Sequence, residues 1–415
     1  MEKLKTAYFF SIIAVALTFP YFAHLNSVLI FICCLLSAVS NPINEKWANL
    51  KSNPWIIFFI IYYLVQVVGY FNSSNEQEAL FILEKKGGMA LLPIFLASGT
   101  QLSKSQIKTI LLSVVASVLL GGLAMILLSG FDYFENKDSA VFYYHQLSNQ
   151  LGAHAIYFSV VVATSIFLLM KFKSLVFNAH TILYYVLLSF LAILLILLSS
   201  KMILIISLFL FLALQLIQFK KREKKAMLVL ITVIGVVFML FGGGISSRFS
   251  EIINQDLEVL GQEKYKYDTP LNGLTLRITF WNIVIETLSQ ESNSMAFGVG
   301  TGDAQETLRK AYQNKGLYIG NPELKDRGYL DYNVHSQYFE ELLKNGVLGL
   351  IALLILISTI LGISKKDRFS FSILLIISCF FLTESGLERH AGSILFTLIS
   401  VLLILDSNQQ KRLVG

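Results

Sequence analysis

Charge is scarce in this sequence. Only 14% of its 415 residues are Asp, Glu, Lys or Arg, against roughly a quarter in a soluble globular domain. That scarcity excludes an ordinary soluble enzyme. It excludes disorder as well, since a disordered chain combines low hydrophobicity with high net charge. Proline is rare: six in the whole chain leave little room for Pro-rich linkers. Cysteine is rarer still. Cys33, Cys34 and Cys379 all lie inside apolar runs, so neither a disulfide framework nor a thiolate metal site follows from them. No internal repeat is visible, which weakens transporter folds built from inverted repeats.

Apolar residues are abundant. They make up 55% of the chain, and the aromatic 13% rests mainly on 32 Phe and 18 Tyr, a composition suited to lipid contact and interfacial belts. A hydrocarbon core of about 30 Å takes about 20 mostly apolar residues per helix. On that measure the sequence predicts an all-α polytopic membrane protein with about twelve transmembrane helices. Their spans are 7–23, 25–40, 54–71, 88–100, 107–130, 153–170, 180–199, 202–219, 226–243, 340–363, 369–384 and 391–406. The fourth is short and holds Pro93, so a broken or tilted helix is expected there.

Basic residues orient the array. With the N-terminus inside, seven short segments on that side hold more than half of the 33 Lys and Arg, including Lys104, Lys108, Lys171, Lys366 and Arg368. This satisfies the positive-inside rule with both termini in the cytoplasm. The net charge of +6 therefore describes loop placement and does not point to nucleic acid. Met1–Lys5 before an apolar run, without a small-residue cleavage site, reads as a signal anchor.

The expected organisation has three parts: membrane helices in 1–243, an extracytoplasmic loop with helical patterning in 244–338, and membrane helices with a cytoplasmic tail in 339–415. Loops as long as 244–338 are usually functional. A second outer loop, 131–152, is aromatic and polar, with Tyr143, Tyr144 and His145.

Several residues near the expected outer face could carry chemistry. Lys201 sits between two apolar runs. It either snorkels to the headgroups or faces a cavity as an anion-binding cation. Arg277 and Trp281 share a helix face at i, i+4. The planar fork of Arg277 suits a diphosphate, and a water-facing amphipathic helix is the plainer reading. His335 lies just before the tenth span, either as a capping residue or as an imidazole able to take a proton from a sugar hydroxyl. His145, His154 and His390 also fall on the outer side. No spacing among the histidines supports a transition-metal site. Gly298-Val299-Gly300-Thr301-Gly302-Asp303 is not a Walker loop and reads as a tight turn. Asp303, Glu340, Glu341, Glu384 and Glu388 are outer carboxylates without a spacing that marks an acid/base pair.

The order of these signals is more specific than any one of them. Arg277 with Trp281 comes first, followed by Phe297-Gly298-Val299-Gly300-Thr301-Gly302. Asn333-Val334-His335-Ser336-Gln337-Tyr338 follows, then Lys344-Asn345-Gly346-Val347-Leu348-Gly349 opening a membrane helix. This series resembles the O-antigen ligase and polymerase superfamily, in motifs over roughly 245–355 and in topology over most of the chain. Leu83-Glu84-Lys85-Lys86, Tyr143-Tyr144-His145-Gln146-Leu147-Ser148 and Thr383-Glu384-Ser385-Gly386-Leu387-Glu388-Arg389-His390 look more loosely like its Bacteroidetes-type branch.

The resemblance implies a GT-C-like fold and glycan transfer on the periplasmic face of a bacterial inner membrane. The implied donor is a glycan on undecaprenyl diphosphate, and the implied acceptor is a lipid A–core sugar. Neither metal nor cofactor is implied. Carried onto this chain, His335 is the general base and Arg277 holds the diphosphate. Arg248, Arg389 and Lys201 are further diphosphate-binding candidates, and Trp281, His145 and Glu340 are supporting residues. Lys201 stands where the ligases commonly have an arginine, which keeps the charge and loses the bidentate fork. A polymerase, a protein O-oligosaccharyltransferase and a transporter of lipid-linked sugars are the competing readings. A transporter favours charges inside the bundle, and the charges here are expected at its outer boundary. The mechanism requires His335 within about 15 Å of Arg277, because a base must come within about 3 Å of the hydroxyl it deprotonates.

Overall fold

The computed structural model describes residues 2–176, 181–218, 259–290, 294–321, 323 and 326–414. Among these, every regular element is helical. The first half contains α1 (Glu2–Thr18), α2 (Ala23–Ser40), α3 (Ile43–Lys51), α4 (Ile56–Phe71), α5 (Glu76–Ser98), α6 (Lys104–Asn136), α7 (Tyr144–Asn149), α8 (Ala155–Lys171), α9 (Lys173–Val176), α10 (Thr181–Leu197) and α11 (Lys201–Gln218). The second contains α12 (Gly273–Ser289), α13 (Ser294–Phe297), α14 (Ala304–Asn314), α15 (Gln337–Ser364), α16 (Arg368–Thr383) and α17 (His390–Val414).

Eleven of the twelve expected spans lie wholly or mostly on described residues, and each overlaps a helix. The ninth, 226–243, lies outside them, as does Arg248. Four helices are long and apolar enough to cross a membrane unaided: Ala23–Ser40, Lys104–Asn136, Gln337–Ser364 and the His390–Gln409 part of α17. The pair α3 and α4, bent by 92°, makes a fifth if taken as one span. α8, α10 and α16 are apolar but shorter. At 1.5 Å per residue they reach about 25 Å, less than the roughly 30 Å hydrocarbon core.

The fourth span differs from expectation. α5 runs unbroken through Pro93 and begins at Glu76, so Lys85 and Lys86 belong to a helix and not to a loop. Asn75 starts it by accepting from the Glu78 N–H, a side-chain cap of the usual kind.

Apolar faces hold the bundle together. One large core joins residues from α1, α2, α4, α5, α6, α8, α10, α15, α16 and α17. Within it α4 packs on α5 and α15, α16 on α8 and α11, and α17 on α5. A second, smaller core gathers Phe280, Ile283, Val284, Leu308, Tyr312 and Val334. It joins α12 and α14 to the start of α15, above one end of the bundle.

That junction explains the glycine motif. α15 is broken at Gly346, whose φ of 62° and ψ of −158° are not helical. A break removes the donors that would serve the carbonyls one turn earlier. Leu343 and Lys344 are those carbonyls, and they accept from the N–H groups of Val299 (2.9 Å) and Gly300 (3.1 Å). The approach is close on both sides. A Cβ on Gly298 would lie 2.4 Å from the Lys344 carbonyl, and one on Gly346 would lie 2.3 Å from the Ala296 carbonyl carbon. Both positions also take a left-handed φ, which glycine adopts without steric cost. The tight turn read from the sequence is therefore a clamp around a broken helix.

Candidate functional site

α12 starts with a reciprocal cap. Asn272 Oδ1 accepts from the N–H groups of Leu274 and Thr275, and Thr275 Oγ1 accepts from the Asn272 N–H. The cap sets the helix phase that puts Arg277 and Trp281 one turn apart on one face. Trp281 donates from Nε1 to the Val334 carbonyl (3.1 Å) and stacks flat on Phe339, 5.0 Å between centroids. It thus fixes the backbone next to His335 against the first turn of α15.

His335 sits at a strained backbone position, with a φ of 50°. Non-glycine residues rarely hold such values unless neighbours enforce them. Here Asn333 Oδ1 accepts from the His335 N–H (3.0 Å), and the Gln337 N–H bonds the Glu384 carbonyl (3.1 Å). The imidazole lies nearly parallel to Phe280 (10°, 6.3 Å) and edge-on to Tyr332 (78°, 5.6 Å).

One carboxylate joins the two leading candidates. Glu384, 4% exposed, follows the end of α16. Its Oε1 accepts from Arg277 Nη2 at 2.8 Å, and its Oε2 lies 3.4 Å from His335 Nδ1. Arg277 and His335 therefore sit on the two oxygens of a single side chain, well inside 15 Å. Burial works to raise the Glu384 carboxyl. The His335 hydrogen bond and charge, together with the Arg277 guanidinium, outweigh it and hold the group below its ordinary range. Arg277 also donates from Nε to Thr383 O (3.0 Å) and from Nη1 to Gly273 O (2.6 Å). Three of its five N–H groups are engaged this way, and two remain.

Two further histidines approach the same site. His145, at the start of α7, lies 4.6 Å ring to ring from His154, which packs edge-on against Tyr157. The buried Nδ1 of His154 has no hydrogen-bond partner among the described residues. Arg389 is exposed, with its guanidinium 5.2 Å from the centre of the Tyr157 ring. Tyr157 in turn donates to the Ser385 carbonyl (2.8 Å), tying α8 to the turn that carries Glu384.

Lys201 opens α11 and is half-buried. α10 packs antiparallel on α8, so Lys201 returns to the end of the bundle that holds His154. α11 then packs on α16, the helix that ends at Glu384.

Beside this site lies an ionic network that sequence reasoning missed. Lys86 pairs with Glu341 (3.1 Å) and Glu388 (2.8 Å), and Lys344 pairs with Glu340 (2.9 Å) and Glu388 (2.6 Å). Tyr62, Gln66, Gln337 and Asn345 donate to the oxygens of Glu341. Glu340 also accepts from Ser385 Oγ (3.0 Å). Burial works to raise the Glu388 carboxyl, and the two lysines overcome it and hold it low. Isolated buried ions cost several kcal/mol each, and pairs with further hydrogen bonds offset that cost. The expectation that the charges stay at the boundary is thus corrected: Lys86, Glu341 and Lys344 are inside the bundle. They remain near one end of it, since Glu340, Glu341 and Lys344 occupy the first two turns of α15.

The signals for this network were present in part. Glu340 and Lys344 stand at i, i+4, and ionisable residues inside apolar helices are functional by default. The partner Lys86 is 255 residues away from Glu341, and no local pattern connects them. Glu384 likewise finds Arg277 only through the fold.

Residues 184–354 match the family described as O-antigen ligase. This supports the O-antigen ligase superfamily for the chain. The match contains Lys201, Arg277, Trp281, His335 and the glycine clamp, and ends before Glu384. No curated protein matches the chain.

Proposed function

We propose that this chain is an O-antigen ligase-type glycosyltransferase. It moves a glycan from undecaprenyl diphosphate to a hydroxyl of a lipid A–core sugar, at the periplasmic face of the bacterial inner membrane. The family match supports a membrane glycosyltransferase of the ligase or polymerase kind. The observation that carries the finer reading is the shared carboxylate: Glu384 holds His335 on one oxygen and Arg277 on the other. Such an arrangement puts a base for the acceptor beside a cation for the leaving group.

In this mechanism Glu384 orients the imidazole through Nδ1, which leaves Nε2 to take the acceptor proton. The acceptor oxygen bonds to the anomeric carbon while the bond from that carbon to the diphosphate breaks. The electron pair departs on the diphosphate, and the proton rests on His335. The imidazolium is then stabilised by Glu384, which is already ionised. The two N–H groups left on Arg277 face the developing charge of the leaving group, where a fixed cation favours the transition state. Arg389 and Lys201 add positive charge at the same end. One displacement inverts the anomeric configuration, and no step calls on a metal or cofactor.

The proposed topology has twelve spans with both termini in the cytoplasm, and residues 244–338 form the periplasmic cap. The shorter helices cross with the help of their flanking loops, as short spans do where the bilayer thins or long side chains snorkel.

Purified protein supplied with a defined undecaprenyl-diphosphate glycan and lipid A–core tests the reading. Glycosylated lipid A–core is the expected product. Lengthening of the lipid-linked glycan without transfer makes the protein a polymerase. Binding of the donor without either product favours a transporter or a protein acceptor.

A further inference from the structure

A second site lies at the far end of the bundle. There α6 begins, α8 ends, and the α15–α16 turn meets α17. These elements enclose a cavity of about 610 Å³ lined by Lys104, Lys108, Lys171, Lys366 and Arg368 on the basic side, and by Asp367 and Asp406 on the acidic side. The acids are already used. Lys171 pairs with both carboxylates, 2.7 Å from Asp406 Oδ2, and donates to Ser370 Oγ at 2.9 Å. Asp367 also caps α16 through the Phe369 N–H (3.1 Å). That leaves Lys104, Lys108, Lys366 and Arg368 without an ion pair among the described residues.

A general excess of cytoplasmic lysine does not account for this arrangement. Scattered loop charges satisfy the positive-inside rule, whereas these converge on one cavity from α6, the α15–α16 turn and the start of α16. Ser105 and two aromatic side chains, Phe172 and Phe369, complete the lining. The first turn of α6 also opens at the cavity and brings the positive end of its dipole. Positive charge around a recess between helices, with an aromatic side chain at its edge, suits an amphiphilic anion.

We propose that this cavity binds the phosphate of an anionic phospholipid from the leaflet opposite the His335 end. The basic side chains take the phosphodiester, and Phe369 with the methylene stems of the lysines packs on the glycerol and upper acyl carbons. Nothing in the transfer chemistry requires this site, so the inference is independent of the proposed reaction.

The test uses the full chain purified in a neutral detergent. Retention of phosphatidylglycerol is measured by native mass spectrometry in competition with phosphatidylcholine, with inorganic phosphate in a parallel arm. The wild type is expected to retain phosphatidylglycerol preferentially. The Lys104→Gln/Arg368→Gln variant, which alters two exposed side chains, is expected to bind it about tenfold more weakly. Lys108→Gln is expected to weaken it as well. Lys3→Gln/Lys5→Gln, which removes charge from another segment at the same end, is expected to leave retention unchanged. An unaltered thermal midpoint in phosphatidylcholine shows that each variant is folded. Equal retention by wild type and the Lys104/Arg368 variant overturns the proposal, as does an equal loss in the Lys3/Lys5 variant. If inorganic phosphate alone protects the wild type while phosphatidylglycerol does not, the lipid as ligand is overturned.

Discussion

At the scale of single residues, the account turns on what one buried carboxylate does to its neighbours. Glu384 does not touch the reacting atoms; it positions His335 and Arg277. Glu384→Gln keeps the shape and removes the charge. The expected result is a kcat lower by about a hundredfold or more, with the acceptor KM little changed and partial recovery in Glu384→Asp. A purely structural role would instead lower the yield of folded protein and leave the kcat of what folds intact. Glu384 also makes a prediction about pH. Its carboxyl is held below its ordinary value, so on acidification the unfolded chain takes up protons before the folded one does. Stability is therefore lost as the pH falls into the acidic range, and Glu384→Gln is expected to flatten that decline in thermal midpoint.

At the scale of elements, the break in α15 is the feature on which the site depends. It sets the first two turns of that helix, with Glu340, Glu341 and Lys344, beneath His335. Gly346→Ala puts a side chain at a left-handed φ and against the Ala296 backbone. The conformational term alone is about 1–2 kcal/mol, and the steric conflict adds to it. A clear drop in unfolding midpoint is expected, together with loss of activity; an unchanged midpoint would contradict the clamp. The helices themselves were legible in the sequence, because a membrane leaves the backbone few alternatives to helix and marks spans by long apolar runs. The glycine turn was legible as a turn. Its partner was not: Lys344-Asn345-Gly346 reads as the opening of a membrane helix, and nothing in it marks a break. α5 begins at Glu76, well before the span expected at 88–100, because Glu84, Lys85 and Lys86 interrupt the apolar run without ending the helix. In the fold, Lys86 finds two carboxylates and is buried. His335, Arg277 and Trp281 stand out in the sequence by type, spacing and resemblance, and the fold brings them together. Glu384, Glu388 and Lys86 could not be assigned roles, because their partners come from distant parts of the chain.

At the scale of the whole molecule, the bundle has two chemically different ends. One carries Arg277, His335, Glu384, His154 and Arg389. The other carries the lysine-rich cavity around Lys171. The proposed orientation puts the first in the periplasm and the second in the cytoplasm. Cysteine placed at Lys310, on α14, is expected to react with a membrane-impermeant thiol reagent in intact spheroplasts. Cysteine at Lys366 is expected to react only after permeabilisation. The native cysteines give little background, since Cys33 and Cys34 are buried and Cys379 is partly so. The most direct test of the central claim joins chemistry to binding. Glycan transfer from undecaprenyl diphosphate to lipid A–core is measured for wild type and His335→Ala, with donor binding followed in the same preparations. The account predicts that the variant binds donor as the wild type does and loses at least about a hundredfold in transfer rate. Transfer by His335→Ala at the wild-type rate would contradict it.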